Sequence, residues 1–196
     1  MALDVAAVLR ETGALLSGHF RLSSGLHSPS YVQCALLLEH PRNAKAIGRE
    51  LGEKVRAFRA EKIAAPAMGG VIIGYTVAEA LDLPSIFTER KDGQMTLRRG
   101  FCIMSGERVV IVEDVVTTGK STRETAAVVE QTGGVVAGFA SILNRSGRPN
   151  PFDNAPYASL LSLNLETYSE PDCPQCKSGV PIDAPGSRFS NAAEKR

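Results

Sequence analysis

In the stretch VVIVEDVVTTGKST, Val109 to Thr122, an apolar, β-branched run ends on two adjacent carboxylates, Glu113 and Asp114. Val115 and Val116 then lead into Thr117, Thr118, Gly119, Lys120 and Ser121. Acids cannot face a phosphate, but they accept hydrogen bonds from vicinal hydroxyls. The residues that follow suit the opposite partner. Hydroxyl donors from Thr117, Thr118 and Ser121, a glycine that lets the backbone come close, the charge of Lys120 and the free amides of a helix start form a cradle for one phosphate. A ribose with a free vicinal diol and a phosphate on its terminal carbon presents both needs side by side, so the stretch reads as a ribose-phosphate holder. The plainer alternative is a solvated strand end followed by a helix capped by Thr117 or Thr118. The GKS triplet also invites a P-loop reading, but that motif needs a glycine five residues before the glycine of GK. Asp114 stands there, and its charge would oppose the phosphates such a loop holds.

Further candidates lie elsewhere. APAMGGV is a turn between strand and helix in which Ala67, Met68, Gly69 and Gly70 can aim successive amides at an anion; alternatively, its glycines only let a helix start pack closely. ERKDGQMTLRRG carries Arg90, Lys91, Arg98 and Arg99 in a polar, Gly-containing segment that reads as a mobile loop or hairpin. Cations that close over a leaving group as it gains charge favour the transition state over the ground state; the alternative is a solvated basic hairpin. Arg145, in LNRSG, follows a strand, and its guanidinium can fork onto a planar carboxylate or a carbonyl pair. His19, His27 and His40 are not spaced for a metal; His27 is placed to touch substrate, and the other two read as structural or exposed. Cys173 and Cys176, in CPQC, are spaced like half a zinc site. No second pair lies nearby and no histidine follows, so a complete site needs two copies of the chain; a tail knuckle or free thiols is the blander reading. Cys34 and Cys102 read as buried thiols.

The elements that must position these residues follow from periodicity. Asp4 is a candidate N-cap for a helix whose apolar positions Val8, Leu9, Leu15 and Leu16 recur at helical spacing. GHFRLSSGLHSPSYVQC holds two short strand-like pieces. Pro41 opens the clearest helix, with Ala44, Ile47, Leu51, Val55 and Phe58 on one stripe. KIAAPAMGGVIIGYTVAEAL reads as strand, tight turn and helix, PSIFTER as a strand, and RVVIVED as a buried strand. A helix ended by Gly133 and Gly134, the strand VVAGFASIL and the strand YASLLSLNL complete the pattern. Continuous apolar strands alternating with helices predict an α/β fold: a central, mostly parallel, twisted sheet flanked by helices, with a small N-terminal hood. Ligands then sit outside the carboxyl ends of the strands, at the turns after Ala65, Phe87, Val112 and Leu143. The 196 residues predict a single domain in which 1–40 supply the hood and 166–196 an extended tail that frays from Gly186. Lys and Arg number 22 against 21 Asp and Glu, which gives no electrostatic case for nucleic acid or a membrane surface. Neither a signal peptide nor a membrane span is legible, and a cytoplasmic protein is expected.

VVIVEDVVTTGKST resembles the phosphoribosyl-pyrophosphate (PRPP) signature of the phosphoribosyltransferases. GHFRLSSGLHSPSYVQ, APAMGGVIIG, FTERKDGQMTLRRGF and LNRSG extend the resemblance to the bacterial and archaeal orotate phosphoribosyltransferases over nearly the whole chain. The resemblance implies the type I phosphoribosyltransferase fold and transfer of the phosphoribosyl group of PRPP to orotate, giving orotidine 5′-phosphate and pyrophosphate in pyrimidine synthesis. It implies Mg²⁺ carried with the pyrophosphate and no direct protein ligand to that metal. It implies PRPP held by Glu113, Asp114, Val115, Val116, Thr117, Thr118, Gly119, Lys120 and Ser121, and pyrophosphate by the 67–70 turn, here without the lysine many members carry. It further implies catalytic roles for Asp114, Lys91 and Arg90, and orotate recognition by Thr117, Arg145 and the backbone of the Ser23 to Tyr31 hood. In some members a lysine that touches PRPP stands where this chain has Ser23. A homodimer with shared sites follows from the same resemblance. The rivals are a purine phosphoribosyltransferase, against which the hood motif argues, and a PRPP-sensing regulator that binds nucleic acid, against which the charge balance argues.

Overall fold

The computed structural model describes residues 3–22, 24–153 and 155–185; Ser23 and the tail from Gly186 lie outside them. Helix α1 (Val5–Glu11) is capped by Asp4, whose Oδ1 accepts from the Ala7 amide at 3.0 Å. The helix ends sooner than its apolar spacing predicts. Gly13, at a φ of 64°, turns the chain, and Leu15 and Leu16 open strand β1 (Leu15–Arg21) instead of continuing the helix. Strand β2 (His27–Val32) pairs antiparallel with β1, and this hairpin is the hood. Helix α2 (Cys34–Leu38) and helix α3 (Pro41–Val55) follow, with Pro41 in the first turn of α3, where its missing amide costs nothing. Strand β3 (Lys62–Pro66), helix α4 (Gly69–Leu81), strand β4 (Ser85–Lys91), strand β5 (Gln94–Leu97), strand β6 (Arg108–Val116), helix α5 (Lys120–Gln131), strand β7 (Val135–Asn144), strand β8 (Tyr157–Ser162) and the short helix α6 (Pro174–Lys177) complete the chain. The basic segment is thus a hairpin, β4 with β5, turned at Asp92 and Gly93.

The main sheet has six strands in the order β5-β4-β3-β6-β7-β8, parallel throughout except for β5. Its faces are segregated by the alternation of β6. Val110 and Val112 pack with Ile47, Leu51, Ile73 and Val77 of α3 and α4. Val109 and Ile111 pack with Ala126 and Val129 of α5 and with the stacked pair Phe139 and Phe152. Helices α3 and α4 approach closely: a Cβ added at Gly48 would lie 2.5 Å from the Cβ of Thr76. From β3 the chain runs outward to β4, then returns to the other side of β3 as β6. The strand order reverses between β3 and β6, and the crevice outside the carboxyl ends of those two strands is where a sheet of this kind binds ligands.

Candidate active site

Both turns singled out in the sequence meet at that crevice. After β3 comes the 67–70 turn, which includes a cis Ala67–Met68 peptide and runs straight into α4. At the end of β6 stand Glu113, buried, and Asp114, partly accessible. The two segments touch. A Cβ at Gly69 would lie 2.7 Å from Asp114 Oδ2, and one at Gly70 would lie 2.9 Å from the Val112 carbonyl and 3.2 Å from Glu113 Oε1. The glycine pair is therefore required by the carboxylates pressed against it. The Asp114 amide donates to Glu113 Oε1 at 3.3 Å, and the Val115 amide donates to Asp114 Oδ1 at 2.8 Å.

Neither acid has a cationic partner among the described residues. Burial, and then the Asp114 charge, pushes the Glu113 carboxyl well above its ordinary pKa. Burial also raises Asp114, against the hydrogen bonds it accepts. Two acids this close in a dehydrated crevice share the difficulty of being charged, and a hydroxyl donor would relieve it.

The turn from Thr117 to Gly119 faces solvent at its two threonines, with Gly119 at a φ of 69° in the N-cap position. Helix α5 starts at Lys120, so Thr117 and Thr118 precede it, and neither caps it in the way the plainer sequence reading required; Thr118 Oγ1 only receives the Lys120 amide at 3.4 Å. Arg123, stacked over the Phe152 ring at 5.4 Å, donates to the Thr118 carbonyl at 2.6 Å and braces the turn from behind.

At the end of β7, the Arg145 amide donates to the Val116 carbonyl at 2.8 Å, which ties its loop to the end of β6. Asn144, unnoticed in the sequence, folds that loop: its Nδ2 donates to the Arg148 carbonyl at 2.8 Å and its Oδ1 accepts from Ser146 Oγ at 2.7 Å. The Arg145 Nε is buried without a hydrogen-bond partner among the described residues, and burial lowers the guanidinium's pKa. Tyr31, near the end of hood strand β2, lies in the field of both sides. Burial and Asp114 raise its phenol, and Arg145 opposes them. Tyr31 of the hood thus feels the acid and the arginine together. The only sequence cue for Tyr31 was its place at the end of the hood segment.

Arg90 and Lys91 make no hydrogen bond or ion pair with the acid doublet. Arg90 is ion-paired with Glu124 of α5 and donates to the Gly93 carbonyl at 3.1 Å. Arg98 and Arg99 both pair with Glu89. Lys91 lies exposed opposite Gln94 at the hairpin tip, without an ion pair among the described residues. Two expectations need correction. Cys102 is exposed, while Cys34 is buried beneath the crevice. His27 is buried against His19, and the two rings face Cys173 and Cys176, so the sequence spacing that argued against a metal is bridged by the fold.

Comparison with known proteins gives the chain's family. The phosphoribosyl transferase domain family matches residues 35–171. The orotate phosphoribosyltransferase of Thermotoga maritima is 47% identical over 94% of this chain and 98% of its own length. That of Carboxydothermus hydrogenoformans is 47% identical over 95% of this chain and 98% of its own. The crystal structure of orotate phosphoribosyltransferase from Aeropyrum pernix superposes with a TM-score of 0.69 at 26% identity, covering 81% of this chain and 93% of that one. A switch-point crevice built from an acid doublet, a glycine turn and a strand-end arginine, carried on a chain this similar over nearly its full length, makes the protein a member of the orotate phosphoribosyltransferases.

Proposed function

We propose that the chain transfers the phosphoribosyl group of PRPP to orotate, releasing pyrophosphate and forming orotidine 5′-phosphate. The observation that carries this reading is the acid doublet on the Gly69–Gly70 turn, with the buried, unpartnered Nε of Arg145 at the next strand end. Glu113 and Asp114 accept the ribose diol. The amides and hydroxyls from Thr117 to Ser121 hold the terminal phosphate, and the 67–70 turn holds pyrophosphate through its backbone, there being no lysine in it. Arg145 forks onto the orotate carboxylate beneath the hood. With both substrates so fixed, the bond from C1 to the pyrophosphate oxygen breaks, its electron pair leaves with pyrophosphate, and the ring nitrogen of orotate bonds to C1. The nitrogen reacts as its anion, having given its proton to solvent before C1 is attacked, so no protein general base is required. Catalysis is positioning and charge stabilisation.

The donor set fits a Mg²⁺-bearing substrate: two hard carboxylates without a protein cation, facing the diol. Bound with PRPP, Mg²⁺ would neutralise the departing pyrophosphate. A second copy of the chain completes the site in this reading. Met68, Ile72 and Tyr75 are exposed at successive turns of one face, running from the 67–70 turn along α4, an apolar stripe that a partner subunit would cover. The hairpin tip with Lys91 then reaches the partner's site. Four thiols without a disulfide suit the reducing cytoplasm.

Orotidine 5′-phosphate formation by wild type and three variants tests the assignment. Asp114→Asn is expected to lose on the order of a hundredfold in kcat/KM. Arg145→Ala is expected to raise KM for orotate by about tenfold or more, with KM for PRPP little changed. Lys91→Ala is expected to lower kcat at nearly constant KM. An Asp114→Asn enzyme as fast as wild type would sink the diol role. Pyrophosphate release driven by adenine or xanthine in place of orotate would favour a purine enzyme, and nucleic-acid binding without turnover a regulator.

A further inference from the structure

Away from the crevice, the tail crosses back over the hood. The Asp183 amide donates to the His19 carbonyl and the Arg21 amide to the Asp183 carbonyl, both at 2.8 Å. His27 and Tyr168 exchange two backbone hydrogen bonds of 2.9 Å, and Gln175 Nε2 donates to the Gly18 carbonyl at 2.8 Å. These contacts set the CPQC knuckle against the two hood histidines. One ligand atom from each of His19, His27, Cys173 and Cys176 falls within 4.8 Å of all the others.

Four of the six separations lie close to the edges of a metal tetrahedron, and the other two are within 4.8 Å. With Zn–N near 2.05 Å and Zn–S near 2.3 Å, the edges of a regular site are about 3.3 Å for N···N and about 3.6 Å for N···S. Here His19 Nε2 and His27 Nδ1 are 3.1 Å apart. Cys176 Sγ is 3.2 Å from His27 Nδ1 and 3.6 Å from His19 Nε2, and Cys173 Sγ is 3.5 Å from His19 Nε2. Protonation points the same way. His19 Nδ1 is 2.8 Å from the Val180 carbonyl, which can only accept, so that nitrogen carries the proton and Nε2 presents a lone pair inward. A backbone carbonyl on the outer nitrogen is the usual arrangement for a histidine that ligates a metal. His27 Nδ1 and both sulfurs converge on this one lone pair, which can satisfy a single hydrogen-bond donor; a cation between the four atoms would instead use all of their lone pairs.

We propose that His19, His27, Cys173 and Cys176 bind one structural zinc ion within a single chain. Two nitrogens and two sulfurs in a closed tetrahedron select zinc over magnesium or calcium, and with four protein ligands no position is left for substrate. The histidines bind neutral, and the two thiols each release a proton as the metal enters. A cavity of about 310 Å³ beside the cluster, bordered by Glu170 and Val180, gives the ion a route in. The site joins hood to tail and is separate from the proposed catalysis, so it stands whether or not orotate is the substrate.

The test uses the full chain purified without chelator from zinc-replete cells. Metal analysis should give about one zinc per chain, at the same value in monomer and dimer fractions, and cobalt exchange should give the intense visible bands of a tetrahedral thiolate site. Cys176→Ser and His27→Ala should each lower zinc affinity by about tenfold or more in a competition titration with a chromogenic chelator. Should Cys176→Ser fail to fold, cobalt titration of metal-stripped wild type carries the same test. A folded protein that holds under a tenth of an equivalent of zinc, takes up no cobalt and leaves both tail thiols free to react would overturn the proposal. A Cys173–Cys176 disulfide, or zinc shared between two chains, would overturn it equally.

Discussion

Glu113 is held in a state its side chain does not favour. Burial and the neighbouring Asp114 charge raise its pKa in the fold, so its contribution to stability is fully present below the pKa of the unfolded chain and is lost as pH rises through the higher folded value. At neutral pH the doublet therefore weakens the ligand-free protein. Glu113→Gln is expected to raise the ligand-free Tm by a few degrees, about what 1 kcal/mol gives at this size, and to flatten its dependence on pH between mildly acid and neutral. The same variant should lose part of the stabilisation that PRPP confers on wild type. Thermal scans with and without PRPP across pH check both, and a ligand-free Tm below wild type at pH 7 would contradict them. The doublet and the TTGKS turn were legible in the sequence because their partners lie within a few residues. The closeness of Gly69 to Asp114 was not, since strand order sets it. Nor was the role of Asn144, a polar residue at a strand end that looks like any other until its loop folds around it.

Among the elements, α3 and α4 show how a glycine can be required in one turn and dispensable in the next. Gly48→Ala would set its methyl 2.5 Å from the Thr76 side chain and 2.7 Å from the Thr76 carbonyl carbon, within the helix pair that backs the crevice. Overpacking of this sort costs about 1–3 kcal/mol. Gly52→Ala, one turn on, meets Ala80 at 3.3 Å, and the gain in helix propensity of about 1 kcal/mol offsets the squeeze. Urea denaturation should find the first variant clearly destabilised and the second close to wild type; equal losses would show that the two helices yield more than their packing suggests. The α3 stripe could be read directly because Ala44, Ile47, Leu51 and Val55 keep helical spacing, although Phe58, the last residue of that stripe, falls in a 3-10 turn beyond the helix end. Leu15 and Leu16 could not. Two leucines fit a helix as well as a strand, and the deciding feature is the backbone reversal at Gly13.

At the scale of the whole molecule, the apolar stripe of Met68, Ile72 and Tyr75 is the surface the proposed dimer would bury. Tyr75→Arg should shift wild type from dimer to monomer in light scattering and, if Lys91 acts across the interface, reduce kcat as well. A variant that stays dimeric would place the interface elsewhere. A mostly parallel sheet was legible from alternating strands and helices, but the order of its six strands was not. The hood–tail junction was illegible, because its side-chain partners stand 138 to 161 residues apart and only the closed fold brings them together. That separation also fixes an order of events at the ribosome. The hairpin from Leu15 to Val32 is translated well before its backing from Tyr168 to Asp183. The central sheet can close while synthesis continues, but the roof over the crevice gains its backing only when that later segment emerges, so a nascent chain stalled anywhere before Cys173 would carry the floor of the site under an unbraced cover.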